Sequence, residues 1–120
     1  MSAAGRLLIL ASGLTGAAGV ALSAAAAHEG GAFTGTAASF LLMHAPAFLA
    51  VGLLPAAGNM LRIAGLILLV GVVLFSGDLV ARDFLGTRLF PFAAPTGGTL
   101  LIIGWLAVAL SALLRRRETA

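Results

Sequence analysis

Four long stretches without a charged residue dominate this chain of 120 residues. They cover positions 7–27, 30–61, 63–77 and 89–114, and Pro55 interrupts the second stretch. A helix that crosses a bilayer needs about 20 consecutive apolar residues. The pattern therefore predicts four membrane-spanning helices joined by short connections, at approximately 4–27, 36–54, 60–83 and 96–115.

The composition excludes an ordinary soluble domain. Residues of the set AVILMFWYC make up 61% of the chain and charged residues 9%, whereas soluble domains are about 45–50% apolar and about 25% charged. We expect residues 1–120 to form a single all-α domain, an antiparallel bundle of four transmembrane helices. The alternative for the first stretch is a cleaved signal peptide with Arg6 as its basic region, Leu7–Leu22 as its apolar region and Ala25–Ala27 as its cleavage site. We favour the helix because the stretch is long enough to span.

The basic residues predict orientation. Nucleic-acid binding needs a basic face, which this charge pattern does not form. With four spans both termini share one side of the membrane, and by the positive-inside rule the side richer in arginine is cytoplasmic. That side collects Arg6, Arg62, Arg115, Arg116 and Arg117. We therefore expect both termini and the connection at 55–61 in the cytoplasm. The connections at 28–35 and 84–95 are expected on the outer side.

Small residues on the first predicted helix indicate close packing. Ser12 and Gly16 are four residues apart, as are Gly19 and Ser23, and Gly13 lies near the same side. Helix association in lipid depends on van der Waals contact, which small residues permit at short backbone distances. The first helix is therefore a predicted packing centre, either for another helix of the chain or for another subunit.

Four ionisable residues near the outer side form a candidate polar cluster: His28, His44, Asp78 and Arg82. Such residues inside a membrane line pathways or pair with one another. Asp78 and Arg82 are one helical turn apart and can neutralise each other. The predicted helix limits place His44 about 12 Å deep and Asp78 about 7 Å deep, so these two can approach if both face the interior. The alternative for His44 is a neutral imidazole that donates to a carbonyl or hydroxyl of a neighbouring helix, near the backbone groups that Pro46 leaves unpaired.

The polar residues match no catalytic, metal or cofactor motif. The chain has no cysteine, which excludes disulfides and thiolate ligands. His28 next to Glu29 lacks the spacing of a metal motif, and His28 and His44 are not placed at one depth as two haem ligands would be. We expect no metal, no cofactor and no enzymatic activity.

Five motifs in a fixed order carry a family resemblance. They are Ala27-His28, Met43-His44-Ala45 with the apolar run 48–54, Leu74-Phe75-Ser76-Gly77, Pro95-Thr96-Gly97-Gly98, and Gly104-Trp105-Leu106. In this order and spacing they resemble the bacterial domain of unknown function 423 family, which has a eukaryotic relative called transmembrane protein 256. The resemblance covers about residues 7–113.

The resemblance implies a four-helix protein of the bacterial inner membrane with an unassigned biochemical role and no catalytic residue. His28 and His44 match the family pattern. Asp78 stands where the family has a small hydroxyl residue, and the tyrosine that precedes the second histidine is missing, since the chain contains no tyrosine. His28 and His44 are therefore better candidates than Asp78 for a shared function.

The sequence favours a structural role over a chemical one. Abundant small residues and almost no mass outside the membrane predict an accessory or assembly subunit that packs against a larger membrane complex. The expected partners are the lipid bilayer and other membrane subunits, and not nucleic acid. The alternative is a small oligomeric transporter or channel with His44 and Asp78 in an outward-facing vestibule.

Overall fold

The protein is all-helical and has four helices in the described part of the chain. The computed structural model describes residues 2–54 and 58–119, with side chains as far as Leu114. The helices are α1 (Ala3–Glu29), α2 (Thr34–Leu53), α3 (Asn59–Leu85) and α4 (Ala93–Thr119). Each contains a stretch long and apolar enough to cross a membrane, which confirms the predicted fold class. Pro55 and the side chains of Arg115, Arg116 and Arg117 lie outside this description.

The helices begin one to three residues before the predicted limits. The hydroxyl oxygen of Ser2 accepts a hydrogen bond from the backbone N–H of Gly5 at 3.0 Å and so caps α1. Gly86, in the left-handed conformation with φ 73°, ends α3. These ends follow directly from residue type.

Threonine is a favoured N-cap residue, which makes Thr34, Thr36 and Thr96 candidate N-caps of the second and fourth helices in the sequence. None of the three is an N-cap in the structure. Thr34 and Thr36 lie inside α2, whose N-cap is Phe33, and Thr96 lies in the first turn of α4. The reason for α2 is tertiary, because a carboxylate from another helix caps it, as described below.

Short connections fold the helices into two antiparallel hairpins. Helix α1 packs along α2, α3 packs along α4, and the hairpins meet mainly through α2 and α3. Within the described residues α4 makes no backbone contact with α1 or α2, so the bundle is open between α2 and α4. The connections 30–33 and 86–92 lie at one end of the bundle, which we call the two-loop end.

All four helices contribute to one apolar core. Leu8 of α1, Phe48 of α2, Val72 of α3 and Leu101 of α4 are buried in a single cluster. Large apolar side chains such as Leu10 and Leu14 are exposed around the perimeter, as expected where lipid is the solvent.

Small residues form the contact between α1 and α2. The hydroxyl of Ser12 donates to the carbonyl of Ala45 at 2.8 Å. A Cβ built on Gly16 would lie 3.7 Å from the Cβ of Ala45, and one on Gly19 would lie 2.7 Å from Cγ of Leu42. Three of the four predicted packing residues therefore lie in this contact.

Two residues of α1 depart from the prediction. Ser23 is exposed and lies outside the α1–α2 contact. A Cβ on Gly13 would meet nothing within 4 Å, so this glycine does not share the packed face. For Gly13 the reason is the rotation of 100° per residue, which turns it away from its neighbour Ser12. Farther along α1 the contact with α2 continues through Ala26, whose Cβ would lie 3.8 Å from a Cβ on Gly35, and not through Ser23.

Glycines bring α3 and α4 still closer. A Cβ on Gly97 would lie 2.5 Å from the backbone nitrogen of Phe75 and 2.8 Å from the carbonyl oxygen of Gly71. Farther along, a Cβ on Gly104 would lie 2.7 Å from a methyl carbon of Leu68. The two helices therefore touch backbone to backbone, and the small residues of this hairpin meet within the chain.

Candidate functional site

His44 is buried on α2 and both of its ring nitrogens are engaged. It is 1% exposed. Its Nδ1 lies 2.7 Å from the carbonyl oxygen of Phe40, and its Nε2 lies 3.1 Å from the indole nitrogen of Trp105. Because an indole N–H can only donate, Nε2 is the acceptor and Nδ1 carries the proton and donates to Phe40. His44 is thus a neutral imidazole with no free polar atom.

This arrangement differs from the bonding that the sequence suggests for a neutral His44, because the carbonyl that accepts from it is on its own helix and not on a neighbouring one. The carbonyl that Pro46 deprives of its usual donor belongs to Leu42, four residues earlier. His44 donates to Phe40 instead, on its own helix. Its contact with another helix comes from Trp105 of α4, a residue that sequence reasoning did not select.

Asp78 and Arg82 form an ion pair near the two-loop end. The Nη2 of Arg82 lies 2.9 Å from Oδ2 of Asp78, whose side chain is completely buried. The other carboxylate oxygen, Oδ1, accepts the backbone N–H of Leu89 at 2.8 Å. The guanidinium of Arg82 also lies 5.4 Å from the ring centre of Phe33. Asp78 therefore joins α3 to the connection that leads into α4.

Asp83 caps a helix to which it does not belong. Its Oδ2 accepts the backbone N–H of Phe33 at 2.9 Å and that of Thr34 at 2.6 Å, and it accepts the Thr34 hydroxyl at 2.6 Å. The first N–H groups of a helix have no partner within the helix, and a negative charge there is favourable. This carboxylate of α3 therefore fixes the start of α2.

The structure divides the predicted cluster. It joins Asp78 to Arg82 and His44 to Trp105, and no hydrogen bond connects His44 with Asp78. His28 is exposed at the end of α1 and forms no side-chain hydrogen bond with the described residues. The described residues contain no group of three or more His, Cys, Asp or Glu side chains that could hold a metal ion.

A groove follows the open side of the bundle. It lies between α2 and α4, with α3 at its base, and has a volume of about 940 Å³. The His44–Trp105 pair lies at the end of the groove nearer the middle of the bundle, which we call the deep end. Arg82 lies toward the two-loop end. Its walls include the side chains of Phe40, Met43, Phe75, Pro95, Thr99 and Ile102. The groove is therefore lined mainly by apolar side chains, and Arg82 is the one cationic residue in its lining.

One donor of Arg82 has no partner in the described part of the chain. Its Nε is buried and has no hydrogen-bond partner among the described residues. The side chain as a whole is 22% exposed. A buried donor without a partner is unusual and indicates a missing acceptor.

Comparison with known proteins identifies a family of membrane proteins. The family model described as "Protein of unknown function (DUF423)" matches residues 13–98. A "UPF0382 membrane protein" of Haemophilus influenzae is 34% identical over an alignment of 99 residues, which covers 75% of this chain and 80% of the relative. One from Staphylococcus epidermidis is 32% identical over an alignment of 78 residues, which covers 64% of each chain. No solved structure matches. This chain therefore belongs to the DUF423 family of membrane proteins, as the order of its motifs predicts.

Proposed function

We propose that this protein is a non-enzymatic accessory or assembly subunit of a larger complex in the bacterial inner membrane. The proposal rests on a second small-residue face of α1. Gly13, Ala17, Ala21 and Ala24 follow one another at intervals of one turn and are all exposed. Small residues at this spacing permit close approach of a further helix.

The first small-residue face of α1 supports the same interpretation. Ser12, Gly16 and Gly19 contact α2 by the close packing that such residues permit. The second face has the same character but no neighbour among the described helices, since α1 contacts α2 and, lightly, α3. A transmembrane helix of another subunit is the partner that fits it.

Three polar side chains add support, because they hold the chain's own helices together. Asp78 bonds Arg82 and the α3–α4 connection, Asp83 bonds α2, and His44 bonds Trp105. The transport alternative would use His44 and Asp78 in one vestibule. It is not favoured, because the two side chains form hydrogen bonds with different partners and not with each other. A subunit whose polar groups are structural acts through its surface.

The orientation is part of the proposal. Arg6 and Arg62 lie at the end of the bundle opposite the two-loop end, and the arginines at 115–117 follow the last span in sequence. Cytoplasmic ends of spans carry an excess of such residues. The two-loop end, with Asp83 and Arg88, then faces outward.

The test is recovery of partners from the native membrane. Tagged wild-type protein and Ala17→Leu are extracted with a mild polymer, and co-purifying proteins are quantified by mass spectrometry. We expect a stoichiometric partner with the wild type and about tenfold less of it with Ala17→Leu, the effect of about 1.4 kcal/mol of lost packing. Ala109→Leu, a change of the same size at an exposed position on α4, is the matched control and should retain the partner.

Two outcomes would count against the accessory role. Wild-type protein that is recovered alone, or only with further copies of itself, would argue for an independent or homo-oligomeric protein. Equal partner recovery with wild type and Ala17→Leu would show that the second face of α1 is not the contact.

A further inference from the structure

We propose that the groove between α2 and α4 binds one phospholipid from the leaflet at the two-loop end. The phosphate accepts hydrogen bonds from Arg82, and an acyl chain lies along the groove toward Trp105. The site is separate from the second small-residue face of α1, so it does not depend on the accessory role.

The bonding of Arg82 points to a phosphate. Nη2 is held by Asp78 at 2.9 Å, and the guanidinium lies against the ring of Phe33, so its orientation is fixed. Nε remains buried without a partner among the described residues. In a bilayer no water reaches the hydrocarbon to satisfy such a donor. The part of the Arg82 side chain that is exposed lies in the groove lining. Its guanidinium can donate there to a phosphate oxygen, and phospholipids carry this acceptor at the depth of a helix end.

The length of the groove matches one leaflet. Its lining on α4 runs from Ala94, next to the helix start, to Leu106. Twelve residues of helix correspond to about 18 Å, and half of a typical hydrocarbon core is about 15 Å. A membrane-spanning helix of a partner would need a contact surface that extends through both leaflets, which is longer than this groove. A single acyl chain that enters from the two-loop end requires only this length.

The deep end of the groove is suited to hydrocarbon. His44 and Trp105 lie there, and their polar atoms are occupied by each other and by the carbonyl of Phe40. No donor or acceptor of these two rings remains for a polar ligand. Higher in the groove, Gly98 leaves room next to the ring of Phe75, where a Cβ would be 3.8 Å from the nearest ring carbon. The site therefore has a polar head position and an apolar tail position.

The chain contains its own probe of this site. Trp105 is the one tryptophan, and the chain has no tyrosine, so intrinsic fluorescence above the weak phenylalanine signal reports the deep end of the groove. The ring is 42% exposed and accessible to brominated acyl chains, which quench tryptophan on contact. Purified protein is placed in two preparations of phosphatidylcholine vesicles. One contains brominated phosphatidylcholine, and the other contains, at the same mole fraction, a diacylglycerol with identical brominated chains.

We expect brominated phosphatidylcholine to compete for the Trp105 site about tenfold better than brominated diacylglycerol, the contribution of about one hydrogen bond to a charged group. Gly98→Leu fills the groove and keeps the Asp78–Arg82 pair, so it should remove this preference. Ala17→Leu, on the far helix α1, should retain it. Arg82→Gln should also remove the preference, and Gly98→Leu decides the matter if Arg82→Gln does not fold.

Three results would overturn the proposal. Equal quenching by the two brominated lipids in the wild type would mean that no phosphate is recognised near Trp105. A preference that persists in Gly98→Leu would place phosphate recognition outside the groove. Loss of the preference on adding inorganic phosphate to the buffer would assign Arg82 to a free anion and not to a lipid headgroup.

Discussion

The contact between α3 and α4 and the open side between α2 and α4 differ in what fills them. At the first, Gly71 and Gly97 place two backbones in direct contact. At the second, the aromatic rings of His44 and Trp105 meet through one hydrogen bond while the backbones stay apart. Lipid competes equally well for all apolar surface, so close packing is what distinguishes a helix contact from a lipid contact. A few glycines, which have no side chain beyond a hydrogen atom, therefore decide that α3 and α4 pack closely while α2 and α4 do not.

The largest expected effect comes from adding a methyl group to the closed side. Gly97→Ala would place a Cβ 2.5 Å from the backbone nitrogen of Phe75, and neither backbone can yield without separating α3 from α4. We expect a loss of about 3 kcal/mol in the free energy of unfolding, measured by denaturing titration in mixed micelles.

The neighbouring glycine is the matched control for that substitution. A Cβ on Gly98 would lie 3.8 Å from the ring of Phe75, an ordinary contact. Gly98→Ala should therefore change stability by less than about 1 kcal/mol, in the direction of higher helix propensity. Similar losses for the two variants would show that backbone contact is not what holds α3 to α4.

The second prediction concerns the tie between the hairpins at the two-loop end. Gly31 has φ 105°, and a Cβ there would lie 2.6 Å from Oδ2 of Asp83, the atom that caps α2. Gly31→Ala should therefore strain the backbone and displace the cap, at a cost of about 2 kcal/mol. The measurement is the same titration, with hydrogen exchange of the Thr34 amide as a local readout.

Gly30 provides the comparison for Gly31. It also has a positive φ, 77°, but a Cβ there would meet nothing within 4 Å. Gly30→Ala should cost at least about 1 kcal/mol from backbone strain alone, because its φ of 77° with ψ −150° is a conformation that glycine almost alone adopts, and it should leave exchange at Thr34 unchanged. Faster exchange at Thr34 in both variants would indicate that Asp83 is not the group that orders the start of α2.

The third prediction addresses the open side. Trp105→Phe keeps an aromatic ring but removes the donor to Nε2 of His44, leaving a buried acceptor without a partner. We expect a loss of about 1 kcal/mol, within the range found for hydrogen bonds between membrane helices. A double-mutant cycle with His44→Phe isolates the pair, and a coupling energy near zero would show that this bond does not stabilise the open side.

Sequence reasoning predicts local contacts of this protein and misses distant ones. The four-residue spacing of Asp78 and Arg82 is enough to predict their ion pair. The cap of Asp83 on Thr34 joins residues 49 positions apart, and the bond of Trp105 to His44 joins residues 61 positions apart. Those pairings depend on how the helices are arranged.

Rotation of each helix about its axis is what the sequence leaves undetermined. In a soluble helix the apolar face indicates the interior, but a membrane helix is apolar on all sides. His44 and Trp105 lie ten and twelve residues from the two-loop ends of α2 and α4, so their similar depth can be counted. Which side of the helix each residue occupies cannot be read from a uniformly apolar pattern.

The smallest expected effect separates hydrogen bonding from close packing in the contact between α1 and α2. Ser12→Ala keeps a small side chain and removes the 2.8 Å bond to the carbonyl of Ala45, which has its own backbone partner in α2. We expect a loss of about 0.6 kcal/mol, the average for such bonds between membrane helices. Ser23→Ala, at an exposed position, should leave the unfolding titration unchanged. If Ser12→Ala costs as much as Gly97→Ala, polar contact and not backbone proximity closes the first hairpin, and the two hairpins would be stabilised by different means.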